Sequence, residues 1–312
     1  MQLLKKLKPS FYIPGTEMDP VKDAVKRVVG RRVPLFPRTV QIETQAGCNA
    51  SCVFCPISDV TAKVPKGKMP QALFEKIVQE IGRIGATQRI SPYLTNEPFL
   101  DSRIVERSRY IKRVVPHCEV AITTNAGMLK PAIVDDIARD NPFHAIYISM
   151  QGVEKGAYER SMRGRLDFDE TMRNVDYLVE KRVPRLKLVI SMVKTSEIDA
   201  DAAIEYWRSR GVEAKSTVLE NRGGNIPEFD HLKTSEGRIF KNCSRLLKAA
   251  YITFDGDMVL CCADYYRAVV LGNVRERSIF DVWNSERATE IRRDFLRGRP
   301  NPLCAACTID KP

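Results

Sequence analysis

The most informative part of this 312-residue sequence is the run Gly47-Cys48-Asn49-Ala50-Ser51-Cys52-Val53-Phe54-Cys55. Its cysteines have the spacing Cys-x3-Cys-x2-Cys, so one tight loop carries three thiols. Three soft ligands suit a four-iron cluster that takes its fourth ligand from elsewhere, which leaves one iron able to bind a small molecule. A structural zinc site normally has four protein ligands, and this loop contains neither a histidine nor a fourth cysteine. The loop therefore predicts a reactive iron–sulfur site.

The chain has nine cysteines, and we do not expect them to form disulfides. The start Met1-Gln2-Leu3-Leu4-Lys5-Lys6 turns basic at once and lacks the apolar segment of a secretory signal. In a reducing compartment, clustered cysteines more often bind metal than pair with one another. No apolar run reaches transmembrane length. These features predict a cytoplasmic protein without a membrane partner.

The cysteine loop resembles the signature of the radical S-adenosylmethionine (SAM) superfamily, Cys-x3-Cys-x-aromatic-Cys, with Phe54 at the aromatic position. The resemblance implies that Cys48, Cys52 and Cys55 hold a [4Fe-4S] cluster whose open iron binds SAM. In this family, one electron from the cluster cleaves SAM to methionine and a 5'-deoxyadenosyl radical, which removes a hydrogen atom from the substrate. The cofactor supplies the difficult chemistry, and the protein positions the reactants and excludes water.

Strand-like and helix-like patterns alternate through the middle of the chain. We predict six strands, near residues 39–44, 89–94, 119–123, 144–150, 186–193 and 214–219. Between them, apolar residues at intervals of three and four predict amphipathic helices, which include residues 72–78, 105–115, 131–138, 171–181 and 202–210. Strict alternation favours a parallel sheet wrapped by helices. The predicted fold class is α/β, with a partial (β/α)6 barrel, and the family resemblance implies the same fold.

Polar residues at successive strand ends are candidate SAM contacts, because the reactive sites of such barrels lie at the carboxyl ends of the strands. The run Thr95-Asn96-Glu97-Pro98 stands in the place of the family's Gly-Gly-Glu-Pro segment, so the resemblance implies that Glu97 accepts hydrogen bonds from the SAM ammonium. Asn96 departs from the glycine pattern, and Thr124-Asn125 is similar to the family's Thr-Asn. The complete set of expected cofactor contacts is Phe54, Asn96, Glu97, Thr124, Asn125, Ser149, Gln151, Ser191 and Leu219.

Four further cysteines lie towards the C-terminus, at Cys243, Cys261, Cys304 and Cys307. Asp255-Gly256 between two apolar runs predicts a β-hairpin, and Ser278 predicts the start of a helix. This arrangement resembles the twitch domain, a relative of the SPASM extension, which implies a second, fully ligated [4Fe-4S] cluster. A tetrahedral zinc site is the alternative. We expect an N-terminal extension (1–37), the barrel (38–234) and a hairpin-plus-helix module (235–312).

Two cysteines remain outside these sets. Cys118 opens the third predicted strand and is interpreted as a buried, inert residue. Cys262 directly follows Cys261, in a part of the module that faces the substrate in twitch-type sugar-alcohol dehydrogenases. Radical SAM epimerases that act on aminoglycosides use a cysteine thiol to return a hydrogen atom, and this resemblance implies that role for Cys262. Alternatively, Cys262 has no catalytic role or replaces Cys261 as the cluster ligand.

Charge and length predict the partners. The net charge of +11 is spread along the chain without a basic tail or a recognised RNA module, so we do not expect nucleic acid binding. A basic surface suits docking of an acidic electron donor of the flavodoxin or ferredoxin type. About 37 residues precede the first predicted strand, too few for the winged-helix-like peptide-binding domain of many peptide-modifying relatives. This favours a small molecule as substrate.

Polar side chains near the predicted barrel mouth indicate the kind of substrate. Carboxylate, hydroxyl, amine and guanidinium groups suit a polyhydroxylated ligand such as a sugar or an aminocyclitol. The candidate substrate contacts are Glu43, Tyr93, Lys187, Glu220 and Arg222. A shift of one residue in strand register would turn these side chains to the other face.

The predicted reaction is epimerisation of a sugar or aminocyclitol carbon, with Cys262 as the hydrogen-atom donor. The alternative is dehydrogenation of a secondary alcohol to a ketone, with the auxiliary cluster as electron acceptor. A peptide-modifying enzyme and a non-catalytic metal-binding module are less favoured. The placement of Glu97, Ser149 and Gln151 at successive predicted strand ends argues against the non-catalytic module.

Overall fold

We analysed a computed structural model of the chain, which describes residues 33–60, 62–226, 229–234, 238–239 and 243–309. Residues 1–32 of the predicted N-terminal extension lie outside the described residues, as do residues 235–237 at the predicted start of the C-terminal module. The strands are β1 Thr39–Ile42, β2 Arg89–Ser91, β3 Glu119–Thr124, β4 Ala145–Ser149, β5 Lys187–Val193, β6 Glu213–Thr217, β7 Arg238–Ile239, β8 Ala249–Ile252, β9 Asp257–Val259, β10 Val270–Asn273 and β11 Thr308–Ile309.

The helices alternate with these strands in the first two thirds of the chain. They are α1 Ile57–Val60, α2 Gln71–Ile84, α3 Ile104–Val114, α4 Pro131–Arg139, α5 Lys155–Met162, α6 Phe168–Lys181, α7 Ala200–Ser209, α8 Phe229–Leu232, α9 Ser244–Lys248, α10 Ile279–Trp283, α11 Glu286–Leu296 and α12 Pro302–Ala306. None of the described helices combines the length and the apolar character that a membrane crossing requires.

One nine-stranded sheet organises the fold, in the order β10-β9-β8-β1-β2-β3-β4-β5-β6. Strands β1 to β6 are parallel and adjacent in chain order, which confirms the predicted parallel α/β architecture. The predicted C-terminal hairpin is β8 and β9. It does not form a separate sheet, because β8 pairs in parallel with the free edge of β1, from Thr39 opposite Ala249 to Ile42 opposite Ile252.

All six predicted barrel strands are present, and their ends differ from prediction by at most three residues. The largest difference is at β2, which ends at Ser91 because the chain then turns towards the cysteine loop. In that turn, the Leu94 backbone N–H donates to Asn96 Oδ1 at 2.9 Å. The five predicted helical stretches correspond to α2, α3, α4, α6 and α7, and none extends more than one residue beyond its helix.

Helix α2 shows how the helices pack on the sheet. Its residues Phe74, Ile77, Val78 and Ile81 follow one another at intervals of three, one and three, and each is at most 1% exposed. Burial of such a side chain contributes about 1.5–3 kcal/mol. The helix ends at Gly85, whose left-handed φ of 69° lets its N–H bond to the Ile81 carbonyl at 2.9 Å.

The C-terminal module is fixed to the barrel by the same helix. The Glu80 carboxylate accepts from the backbone N–H groups of Ile279 at 2.9 Å and Phe280 at 3.0 Å, so a barrel residue caps α10. Trp283 of α10 is fully buried, and its Nε1 donates to the Pro34 carbonyl at 2.9 Å. The module and the barrel therefore share one core.

Candidate active site

The three N-terminal cysteines lie on a loop that leaves the carboxyl end of β1. The two ends of the loop pair with each other, since Gln45 and Lys68 form an isolated antiparallel bridge. In its middle, the backbone N–H of Ser51 donates to Met162 at 3.2 Å, and that of Val53 donates to Ser161 at 3.0 Å. The last turn of α5 therefore supports the cysteine loop.

A buried arginine holds both ends of this loop. The Arg107 guanidinium donates to the carbonyls of Thr44 at 3.3 Å and Met69 at 2.6 Å, and it forms an ion pair with Asp101 at 3.1 Å. Both charged side chains are at most 5% exposed. Loss of one member of such a pair typically costs about 3–5 kcal/mol, because the other charge stays buried without its partner.

Glu97 is buried where β2, β3 and the cysteine loop meet. Its carboxylate accepts from Thr124 Oγ1 at 2.6 Å and from the backbone N–H of Asn125 at 2.8 Å, and its own N–H donates to the Gly47 carbonyl at 3.0 Å. Burial raises the pKa of Glu97 to about 7, although hydrogen bonds from Thr124, Asn125 and Phe99 act in the opposite direction. Contact between Glu97 and the SAM ammonium stays a prediction.

The raised pKa of Glu97 should make the stability of the cofactor-free protein depend on pH. Between pH 4.5 and 7, the folded state holds a proton that the unfolded state has lost, so the free energy of unfolding falls as the pH rises. The shift from 4.5 to about 7 corresponds to about 3 kcal/mol at most. Urea unfolding at pH 4.5 and pH 8 should show a loss that is smaller in Glu97→Gln than in the wild type by up to this amount, while the raised pKa values of buried Glu43 and Asp264 contribute to both proteins. The exposed Glu106→Gln is the matched control; an unchanged pH dependence in Glu97→Gln would contradict the assignment.

The other candidate SAM contacts lie at the carboxyl ends of the parallel strands, as Glu97 does. Ser149 and Ser191 stand opposite each other on β4 and β5, and Phe54 and Leu219 are buried. The Asn125 amide donates to Asn49 Oδ1 at 2.7 Å and to Cys48 Sγ at 3.7 Å. These strand ends therefore carry polar groups next to the cysteine loop.

Two of these residues have a buried donor without a protein partner. Gln151 Oε1 accepts from the Val193 N–H at 3.0 Å, yet its Nε2 is unpartnered, and so is Nδ2 of Asn96. Buried donors are normally paired. Unpaired amide groups at these strand ends fit a ligand rich in acceptor oxygens, which the carboxylate and ribose of SAM provide.

The second cysteine set lines one cavity in the C-terminal module. Its walls are formed by four cysteines and apolar side chains, together with Arg245; they are Cys243, Cys261, Cys304, Cys307, Leu246, Ala263, Phe295 and Leu303. Four thiols in an apolar setting fit a fully ligated four-iron cluster. In the described part of the chain, no three His, Cys, Asp or Glu side chains are arranged to hold a single metal ion.

Cys262 lies outside this cavity. It packs against a small cluster of Ala249, Tyr251 and Val259, while its Sγ is 4.0 Å from that of Cys261. In the cluster-free protein, the hydrogen bond with Cys261 and the charges of Arg245 and Arg222 lower the pKa of the Cys262 thiol, while burial acts in the opposite direction. The structure thus groups Cys261, and not Cys262, with the other three cysteines.

A carboxylate between two arginines lies beside Cys262. Glu220 accepts from Arg245 at 2.6 and 2.5 Å and from Arg222 at 3.1 Å. Burial would raise the pKa of Glu220, but the two arginines lower it overall. Arg222 has a left-handed φ of 51°, and its buried Nε has no protein partner. This guanidinium therefore has an unused donor at the barrel mouth.

The loop that carries Arg222 is attached to the second cysteine set. Asn221 Nδ2 donates to the Ala306 carbonyl at 2.8 Å, and its Oδ1 accepts from the Thr308 N–H at 2.8 Å. Gly223 has a left-handed φ of 70°, and a Cβ there would lie 2.6 Å from Leu303 Cδ1. The cysteine-bearing segment therefore packs directly against the loop that follows β6.

The remaining candidate substrate contacts have different surroundings. The Tyr93 hydroxyl bonds to Thr123 Oγ1 at 2.7 Å. Burial, and to a lesser degree the charge of Cys262, raises the pKa of Tyr93. Glu43 is buried in an ion pair with Arg267 at 3.2 Å. Lys187 is the first residue of β5, so it lies at the amino ends of the strands, away from the cysteine loop. It is half exposed and pairs with Glu213 at 3.0 Å. The structure does not bring Lys187 to the other candidates.

Sequence reasoning missed two residues of this region, Arg245 and Tyr265. Arg245 pairs with Glu220, and the Tyr265 hydroxyl oxygen lies 3.5 Å from Cys55 Sγ. Arg245 lies two residues after Cys243, and Tyr265 lies four residues after Cys261. This closeness to predicted ligands was the only sequence feature that pointed to them. Their partners are far away in the chain, so their contacts could not be read from local pattern.

Comparisons with known proteins agree with this geometry. A model of the radical SAM superfamily matches residues 42–211, and a model of the SPASM iron–sulfur cluster-binding domain matches residues 243–308. An S-adenosyl-L-methionine-dependent 2-deoxy-scyllo-inosamine dehydrogenase from Niallia circulans is 22% identical over 86% of this chain and 91% of its own length. An AdoMet-dependent heme synthase from Methanosarcina barkeri is 27% identical over 88% of this chain and 89% of its own.

The crystal structure of BtrN in complex with AdoMet and 2-DOIA has the same fold. It superposes with a TM-score of 0.62 at 20% identity, covering 86% of this chain and 92% of BtrN. A radical SAM domain uses SAM and a [4Fe-4S] cluster, and a SPASM domain binds further iron–sulfur clusters, which confirms the predicted cofactors. Because the first family model covers more than half of the chain, this protein belongs to the radical SAM superfamily.

Proposed function

We propose that this enzyme dehydrogenates a secondary alcohol of a cyclitol, aminocyclitol or sugar to a ketone. The observation that carries the proposal is the direct packing of the second cysteine set against the barrel mouth through Asn221 and Gly223. A substrate at the strand ends would lie between the two sets of cysteines. The similarity to a 2-deoxy-scyllo-inosamine dehydrogenase supports this class of reaction and substrate.

Oxidation of an alcohol removes two hydrogens, and the second leaves as a proton and an electron. When bound, SAM and its cluster supply the radical that takes the first hydrogen atom, and the second cluster supplies an acceptor for one electron. The protein must hold the carbinol carbon towards SAM and its hydroxyl in a fixed direction. Arg222 is suited to this task, because Glu220 fixes its guanidinium and its buried Nε has no protein partner.

Epimerisation is the second candidate, and one observation favours it. The Cys262 side chain packs against Ala249, Tyr251 and Val259 and does not line the four-cysteine cavity, so its thiol is not committed to a cluster. A thiol there would return a hydrogen atom to the substrate from the face opposite SAM. The two reactions differ in the fate of one hydrogen, which makes them separable by isotope labelling.

The deciding experiment uses the reconstituted enzyme with SAM, a reductant and a panel of cyclitols that includes 2-deoxy-scyllo-inosamine, in deuterated water. Dehydrogenation should give a product two mass units lighter without carbon-bound deuterium. Cys262→Ser should retain this oxidation to within about threefold, since Cys262 lies outside the four-cysteine cavity and dehydrogenation returns no hydrogen atom to the substrate. Mass spectrometry with NMR identifies the product.

The opposite result is equally clear. One deuterium at an inverted carbon, lost in Cys262→Ser while 5'-deoxyadenosine still forms, would replace dehydrogenation by epimerisation. Oxidation of a peptide by the same preparation, with no cyclitol turnover, would contradict both dehydrogenation and epimerisation of a small molecule.

We place this reaction in the cytoplasm with a flavodoxin- or ferredoxin-type electron donor. All nine cysteines are unpaired, which suits a reducing compartment. The net charge of +11 suits an acidic protein partner. Pull-down with flavodoxin at low and high salt would test the donor, because a charge-driven complex weakens as salt increases.

A further inference from the structure

Tyr265 joins the C-terminal module to the cysteine loop that carries Cys48, Cys52 and Cys55. Its hydroxyl oxygen lies 3.5 Å from Cys55 Sγ, across 210 positions of sequence. Cys55 is one of the three ligands of the SAM-binding cluster, whereas Tyr265 belongs to the turn that also carries Cys261. A single side chain therefore connects the surroundings of the two cysteine sets.

The turn that carries Tyr265 is held by a buried carboxylate. Asp264 is 4% exposed, and its two oxygens accept from the backbone N–H groups of Ala268 at 2.8 Å and Val269 at 2.9 Å. Its own N–H donates to the Cys261 carbonyl at 3.0 Å. Asn225 also donates to the Ala263 carbonyl at 3.3 Å. The position of the Tyr265 ring is thus set by the folded turn.

We propose that Tyr265 is a positioning residue that donates a hydrogen bond to the Cys55 sulfur of the SAM-binding cluster and raises the reduction potential of that cluster. A cysteine that ligates iron is a thiolate and can only accept, while the tyrosine hydroxyl is an ordinary donor at neutral pH. Reduction adds negative charge to the cluster, so a donor at a ligand sulfur stabilises the reduced form.

This contact makes reduction of the SAM-binding cluster depend on the C-terminal module. If the turn at residues 261–268 is displaced, Cys55 loses its donor and the cluster becomes harder to reduce. A cluster that is easily reduced only when the second site is assembled would limit SAM cleavage by an incomplete enzyme. The hydrogen bond from Tyr265 to Cys55 does not depend on the identity of the substrate.

The test compares Tyr265→Phe with the matched control Tyr266→Phe. Phenylalanine keeps the ring and removes only the hydroxyl, and the Tyr266 ring lies against Lys63 Nζ at 5.6 Å rather than against a cysteine. In redox titrations of the reconstituted protein, the SAM-binding cluster is recognised by the change of its EPR signal when SAM is added. We expect the ratio of reduced to oxidised cluster at a fixed potential to fall about tenfold in Tyr265→Phe, equivalent to about 59 mV for one electron.

A second measurement detects the proposed hydrogen bond directly. Wild-type enzyme exchanged into deuterated water and reduced should show by pulsed EPR a deuteron coupling to the SAM-binding cluster that Tyr266→Phe retains and Tyr265→Phe loses. Couplings from other exchangeable donors, such as the Ala50 N–H and the Asn125 amide at Cys48, should persist in all three proteins. Iron content and circular dichroism verify assembly and folding. An unchanged potential in a fully loaded Tyr265→Phe, or the same deuteron couplings in Tyr265→Phe as in the wild type, would overturn the proposal.

Discussion

Cys52→Ala should reduce SAM cleavage to the level of a reaction without enzyme. The loop offers three thiols, and a cluster that also binds SAM needs all three. The loss of one thiol therefore removes the cluster, instead of only changing its reduction potential. The iron content of the reconstituted protein should fall from about eight to about four per chain, because the four-cysteine cavity keeps its own ligands. Formation of 5'-deoxyadenosine and colorimetric iron analysis measure the two effects.

Cys118→Ser is the matched control for this substitution. Cys118 is buried far from the loop in sequence, and its thiol donates to the Thr87 carbonyl at 2.9 Å, a bond that a serine hydroxyl can also make. The control should keep both the iron and the SAM cleavage of the wild type. Normal SAM cleavage by Cys52→Ala would contradict the assignment of the loop.

The parallel sheet could be predicted because its strands are short apolar runs separated by amphipathic helices. The prediction missed α5, and its sequence explains why. Of its eight residues only Tyr158, Ser161 and Met162 are buried, and Gly156 lies in its first turn, so the helical pattern is weak. That helix nevertheless supports the cysteine loop through the carbonyls of Ser161 and Met162.

The pairing of β8 with β1 could not be predicted, because nothing local identifies a partner 210 residues away. The Asp255-Gly256 turn correctly predicted the β8–β9 hairpin, but an edge strand accepts any strand that reaches it. The consequence for the site is large. The parallel pairing places the carboxyl end of β8 beside the carboxyl end of β1, where the cysteine loop begins.

The candidate substrate contacts show what strand pattern alone leaves undetermined. Alternation along β5 places Lys187 on the same face as Ser191, but it does not show that Lys187 lies at the far end and pairs with Glu213. The carboxylate of Glu43 was expected to face the substrate, yet the ion pair with Arg267 occupies it. Both outcomes depend on partners from distant strands, which become neighbours only in the folded chain.

Cys304→Ala should separate SAM cleavage from formation of the ketone. Cys304 lies on α12, whose start is capped by Asn301 through a bond from the Leu303 N–H at 3.1 Å, and its side chain lines the four-cysteine cavity. Loss of this ligand should leave about four irons per chain. The cysteine loop of the barrel is untouched, so 5'-deoxyadenosine should still form.

The proposed dehydrogenation needs an acceptor for the second electron, and the variant removes it. We therefore expect ketone formation to fall at least about 100-fold, a loss typical of a group required at the chemical step, while SAM cleavage falls far less. Cys262→Ser is the matched control, because Cys262 lies outside the cavity and that variant should keep about eight irons. The ratio of ketone to 5'-deoxyadenosine in single-turnover reactions measures how far ketone formation is separated from SAM cleavage. Equal losses of both products would show that the second cysteine set supports folding of the whole site, and an unaffected ketone yield would exclude it as the electron acceptor.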